Sequence, residues 1–209
     1  MKWQIFRPAS LTMPPRTYDQ IAPQYDKAMR PLDRWFLARL RATTLSYLPE
    51  GARVLELGAG TGLNFVFYPT NSVGVASEPS SGMLRLANEK ERPDKVRLVQ
   101  SCAEHLPFKN NSFDAAFATL VFCSLRSPRE AFNELRRVVK PGGTVLLLEH
   151  VRPNGLLGPV FDLLNLFTAP LCDDHFNRRT ANAAQVAGLN VVKVEQSLLG
   201  IINLIACRV

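Results

Sequence analysis

The chain has 209 residues, 46% of them hydrophobic and 21% charged, with a formal net charge of +7. Those proportions exclude a disordered or low-complexity polymer and suit one globular domain with a real core. A basic excess of this size attracts acidic partners, whether nucleic acid, anionic lipid or an anionic small molecule, and by itself selects none of them.

Four cysteines, Cys102, Cys123, Cys172 and Cys207, are scattered without a Cys-x-x-Cys pair. That is the usage of reduced thiols in a cytoplasmic setting, not of a disulfide frame or a zinc knuckle. Met1 to Pro8 has no uninterrupted apolar run, so a signal peptide is not expected. Residues 1–17 read as irregular. Arg34 to Leu48 reads as a helix, with Leu37, Leu40, Thr44 and Leu48 at helical spacing and Pro49-Glu50-Gly51 ending it. Arg34 and Arg41 share a side of that helix, just beyond Arg30. They form either a solvated basic face or a surface resting on anionic membrane, with Trp3, Phe6, Trp35 and Phe36 as interfacial anchors.

From Val54 the pattern changes to short apolar runs alternating with helical segments. The runs are 54–57, 73–76, 96–99, 114–119, 144–149, 191–195 and 201–207, and their composition suits strands covered on both faces. Ser127-Pro128-x-Glu130 starts a helix whose buried stripe is Ala131, Leu135, Val138 and Val139, and Pro141-Gly142-Gly143 stops it. Thr180 to Ala187 reads as another helix, with Gly188 past its end. The expected architecture is therefore α/β: a single domain with a Rossmann-like, doubly wound sheet of seven strands. Only Gln196 to Gly200 joins the last two runs, too short for a parallel crossover, so the last strand should be antiparallel.

The first strand leads into Glu56-Leu57-Gly58-Ala59-Gly60-Thr61-Gly62, read as a strand-to-helix turn where a ligand can approach main-chain N–H groups. A dinucleotide fingerprint requires Gly or Ala at its sixth position, where this chain has Leu63. Glu56 would repel a pyrophosphate but suits a cationic ligand with an ammonium group, such as S-adenosylmethionine. The second strand ends at Glu78-Pro79, about twenty residues on, where a carboxylate can accept from both ribose hydroxyls.

The series Val54-Leu-Glu-Leu-Gly-Ala-Gly-Thr-Gly62, the acidic end of the second strand, Ala103-Glu104-His105-Leu106-Pro107-Phe108, Phe113-Asp114 and Val138-Val-Lys-Pro-Gly-Gly143 resembles that of class I S-adenosylmethionine-dependent methyltransferases. Tyr18-Asp-Gln-Ile-Ala-Pro-Gln-Tyr-Asp26 is similar to the opening of the ubiquinone/menaquinone C-methyltransferases. The resemblance implies cofactor contacts from Glu56, Gly58, Ala59, Gly60, Thr61, Glu78, Pro79, Met83, Cys102, Ala103, Glu104, Thr119 and Leu120, with Tyr18 or Tyr25 closing over the cofactor. Cys102 departs from the pattern: the family commonly has Asp there to accept from the adenine amino group, and a thiol is a weak acceptor.

The resemblance divides the chain into an N-terminal helical segment, 1–48, over the cofactor site, and a core, 49–209, with 151–180 as acceptor lid. Candidates for handling the acceptor are His150, Asp174 and His175. Asp173-Asp174-His175 lacks the further ligands a metal needs. The apolar stretch Gly155 to Cys172 is interrupted by Pro159, Asp162, Asn165 and Pro170 and reads as a poor spanning helix. It suits either a lid over an apolar pocket or an ordinary helix on the sheet. The expected acceptor is a small amphiphilic or lipid-like molecule such as a phospholipid amine. Small thiols and quinone precursors are the alternatives, and phospholipid N-methyltransferases and membrane-associated thiol methyltransferases look similar. A non-catalytic cofactor-binding protein is a weaker reading. A nucleic-acid acceptor is not expected, because no Asn/Asp-Pro-Pro-Tyr/Phe tetrad follows the fourth strand.

Overall fold

A computed structural model describes residues 4–5, 17–153, 159 and 178–209. Its strands are β1 (Gln4–Ile5), β2 (Arg53–Leu57), β3 (Val73–Ser77), β4 (Val96–Gln100), β5 (Phe113–Thr119), β6 (Val139–His150), β7 (Asn190–Ser197) and β8 (Ile202–Arg208). They form one sheet in the order β1-β4-β3-β2-β5-β6-β8-β7. The seven expected runs are all strands, and the two-residue β1 adds an edge parallel to β4. β8 lies between β6 and β7 and is antiparallel to both. The pairings among β2, β3, β4, β5 and β6 are parallel.

Successive side chains on a strand point to opposite faces, so each inner strand supplies two cores. Leu55, Leu57, Ala116, Ala118, Val145 and Leu147 face α4 (Pro128–Val138) and α5 (Thr180–Val186), packing with Phe132, Leu135 and Ala184. Val54, Ala115, Phe117 and Leu146 face the opposite side, against Leu45 of α2 (Ala38–Ser46) and Leu84 and Ala87 of α3 (Ser81–Asn88). Two-sided cover keeps the carboxyl ends of the parallel strands in one register, where open α/β sheets bind ligands.

The N-terminal region departs from expectation. Helix begins at α1 (Thr17–Leu32), well before Arg34, although it contains Pro23 and Pro31. Proline has no N–H to donate, and just past Pro31 the chain winds through a π-helical turn, Asp33–Leu37, into α2. Tertiary contacts hold this helix where propensity does not. Asp19 Oδ1 accepts from Ser80 Oγ at 2.6 Å and from the Gly82 N–H at 2.7 Å. Asp26 accepts from Thr61 Oγ1 at 2.5 Å and from Lys90 Nζ at 2.6 Å. The glycine loop also differs: a single 3₁₀ turn, Phe65–Phe67, stands where an α-helix was expected.

Losing one cap-type acceptor costs about 1 kcal/mol. Asp19→Ala should therefore lower the melting temperature by a few degrees in thermal unfolding; an unchanged value would mean that α1 is held by other contacts.

Candidate cofactor and acceptor site

A cavity of about 270 Å³ opens at the carboxyl ends of β2 to β5, roofed by α1 and α2. Its wall includes Tyr18, Tyr25, Gly58, Ala59, Gly60, Thr61, Glu78, Pro79, Met83, Cys102, Ala103, Glu104, Thr119 and Leu120. All but one of the residues assigned to the cofactor from sequence therefore meet around a single space. The exception is Glu56.

Glu56 is fully buried and does not reach the wall. Its Oε1 accepts from Asn64 Nδ2 at 2.6 Å and its Oε2 from the Tyr68 hydroxyl at 2.6 Å. Burial pushes its carboxyl up, against the hydrogen bonds and the nearby Arg41 charge. The expected direct contact with an ammonium group is corrected accordingly: Asn64, on the wall, stands in front of Glu56 and carries its polarity forward.

Arg41 requires a second correction. It is 4% exposed, on the cavity wall, and no part of a solvated basic face. Its Nε donates to Asp33 at 3.0 Å, and its Nη1 donates to Asn64 Oδ1 at 2.9 Å and to Thr119 Oγ1 at 2.7 Å. The π-helical turn separates Arg34, which is exposed, from Arg41, which is not, so their common side in an ideal helix does not survive. The expected spacing ignored that interruption. The only sequence signal was a strongly polar residue inside the stripe of Leu37, Leu40 and Thr44.

Glu78 is 7% exposed, with Oε2 accepting from the Gly60 N–H at 3.0 Å and Oε1 from the Ser80 N–H at 2.8 Å. Burial, joined by the charges of Glu56 and Asp19, raises its carboxyl to about 7 despite those two donors. Gly60 has φ +55°, and a Cβ there would meet open space. At Gly58, φ +64°, a Cβ would lie 2.5 Å from Val121 Cγ2. The loop is thus shaped by one carboxylate and by one close approach that only glycine permits. Cys102 is half-buried in the wall, and burial raises its thiol, with Glu104 and Glu78 adding to the effect.

Of the acceptor candidates, His150 alone lies among the described residues. His150 is buried at the end of β6, paired with Ile202 of β8, and is not part of the cavity wall. Asp174 and His175, most of the expected lid at 151–180, and Trp3 and Phe6 lie outside the described residues. Phe36, expected as an interfacial anchor, instead packs inward against Leu148, Ile202 and Leu204. Sequence reading missed Arg41 and Asn64, and also the loop after β5, whose Ser124, Leu125, Arg126 and Ser127 complete the wall.

A buried strand-end carboxylate beside a glycine loop offers acceptors to the hydroxyls of a ligand in the cavity, and among the described residues a 3₁₀ turn, not an α-helix, follows the loop. Residues 55–147 match the methyltransferase domain family. The ubiquinone/menaquinone biosynthesis C-methyltransferase UbiE of Syntrophotalea carbinolica is 34% identical over 75% of this chain and 68% of its own. The rat thiol S-methyltransferase TMT1B is 34% identical over 49% of this chain and 44% of its own. A Thermotoga maritima structure described as a possible histamine N-methyltransferase superposes with a TM-score of 0.71 at 21% identity, covering 92% of this chain and 98% of that one. The chain belongs to the class I S-adenosylmethionine-dependent methyltransferases, and S-adenosylmethionine is the cofactor. It spans about half the length of the first curated relatives it matches.

The raised Glu78 carboxyl makes ionisation unfavourable for the fold. Folded Glu78 keeps its proton up to about pH 7, whereas the unfolded group loses it near 4.5, so stability falls as pH rises through that window. Between about pH 5 and 8, Glu78→Gln should gain up to roughly 3 kcal/mol relative to the native chain in urea unfolding. Parallel pH profiles would count against the assignment.

Proposed function

We propose that the chain transfers a methyl group from S-adenosylmethionine to a small lipophilic acceptor. The observation that carries this is the buried Glu78 carboxylate, pinned at Gly60 and Ser80 and facing a cavity that Arg41 also lines.

The residues present fit the donor. Open space at Gly60 leaves room beside Glu78, whose oxygens can accept from two ribose hydroxyls. Arg41 and Asn64 offer a cation and an amide to the amino-acid end, with the Glu56 charge behind them. Cys102 to Glu104 flank the place for the base. When bound, the donor supplies an electrophilic methyl group on a sulfonium. The protein's contribution is alignment and exclusion of water, which can supply much of the rate. Tyr18 and Tyr25 bring the α1 roof over the cavity and shield it.

A base is needed only for an acceptor that arrives protonated. With His150 away from the wall, that role falls to Asp174 or His175. Residues 1–48 then act as the cofactor cover and 151–180 as the acceptor lid. Among acceptors, quinone precursors are favoured over the phospholipid amine, because a relative matching 75% of this chain is by name a ubiquinone/menaquinone biosynthesis C-methyltransferase. A small thiol is the second reading, supported by the thiol S-methyltransferase relative. Association with an anionic membrane belongs to the same proposal; among the described residues no helix is long and apolar enough to cross one.

Saturation to about a hundred times the dissociation constant stabilises a fold by about 2.7 kcal/mol. S-adenosylmethionine should therefore raise the melting temperature, and Glu78→Ala should remove most of that rise. A labelled-methyl screen over demethylated quinols, small thiols, phosphatidylethanolamine and RNA should give product in the quinol arm. Product in RNA alone would overturn the acceptor class.

A further inference from the structure

The β7–β8 hairpin carries an anomaly. Leu198 and Leu199 are the central residues of a turn closed by the Gly200 N–H to the Ser197 carbonyl at 3.1 Å. Both are left-handed, with φ of 51° and 56°. Positions of this kind are normally filled by Asn and Gly, since a Cβ-bearing residue in that region costs about 1–2 kcal/mol. Here they hold two bulky apolar side chains, 53% and 83% exposed. The fold accepts strain twice and gains no burial for it, the mark of a surface kept for a purpose outside the chain.

Next to this tip, Ile201 packs on the Leu148, Ile202 and Leu204 cluster, and Phe36 packs on the same cluster. Phe36 thereby fixes the π-helical turn, whose Trp35 is 84% exposed beside half-exposed Leu32. The charged residues exposed on this stretch are all cationic: Lys27, Arg30, Arg34 and Arg39. Its one acid, Asp33, is only partly exposed and turns inward to Arg41. The cluster continues inward to Leu120, which lines the cavity.

We infer that the Leu198–Leu199 tip and the Leu32–Trp35 turn together form a docking surface for the interfacial layer of an anionic phospholipid bilayer. Apolar side chains enter the headgroup–acyl boundary, indole settles at that depth, and the flanking arginines meet anionic headgroups. This rests on the lipophilic-acceptor reading and deepens it, because the docked edge lies on the apolar cluster that ends at the cavity wall.

The turn supplies a test that separates docking from folding. Leu198→Asn with Leu199→Gly installs the residues such a turn prefers, so the melting temperature should hold or rise. Flotation with vesicles of phosphatidylcholine and phosphatidylglycerol should show the full chain bound, less at high salt, and weakly held by phosphatidylcholine alone. The double variant and Trp35→Ser should each weaken binding by about tenfold or more, as expected for withdrawing one or two large apolar side chains. Binding to anionic vesicles that is absent, or that neither variant weakens, overturns the inference. So does a concentration-dependent dimer that the variants dissociate, with no vesicle binding. S-adenosylhomocysteine binding by calorimetry, run in parallel, should be unchanged in both variants; its absence in the native chain would defeat the functional reading instead.

Discussion

The site depends on one buried carboxylate. Glu78 accepts from main-chain N–H groups on both sides of the cleft mouth, at Gly60 and at Ser80. Those two bonds tie the glycine loop to the start of α3 and leave the group facing the cavity. Removing a carboxylate from water is costly, and here two main-chain donors only partly offset that cost, so the carboxyl is raised to about 7. A ligand with two adjacent hydroxyls supplies the missing donors. Under the proposed function, affinity for the donor's ribose and instability of the open fold share one origin.

Behind this carboxylate lies a second polar layer. Glu56, Tyr68, Asn64, Arg41, Thr119 and Asp33 form a connected network in the interior. Charge reaches the cavity through Asn64 and Arg41, while Glu56 remains sealed. A buried ion network is expensive unless all its members are satisfied. Its payoff is position: α2, the glycine loop and the end of β5 are fixed relative to each other by side chains that meet at the wall.

Much of this was legible in the sequence. Apolar runs marked seven strands, and the short link before residue 201 foretold the antiparallel β8, because crossover length is a chain property. Ser127 and Pro128 marked the start of α4, whose Ser127 Oγ accepts from the Glu130 N–H. Motif residues gathered around one cavity because strand ends in a parallel sheet lie side by side. What failed was local reading of the N-terminus. The helical periodicity was legible only from Arg34, whereas α1 begins at Thr17 and is held from a distance by Asp19 and Asp26, and the π-helical turn shifted Arg41 out of its ideal phase. Glu56 misled because a spacing gives position along the strand but not which neighbours claim its oxygens.

The manner in which α1 is fastened sets it apart from the core. Its cavity residues, Tyr18 and Tyr25, ride on a helix latched by Asp19 to α3 and by Asp26 to Thr61 and Lys90, while Ile21, Pro23 and Gln24 lie in solvent. These latches are directional and polar, whereas the sheet beneath is joined by apolar packing, so salt and solvent act on the two differently.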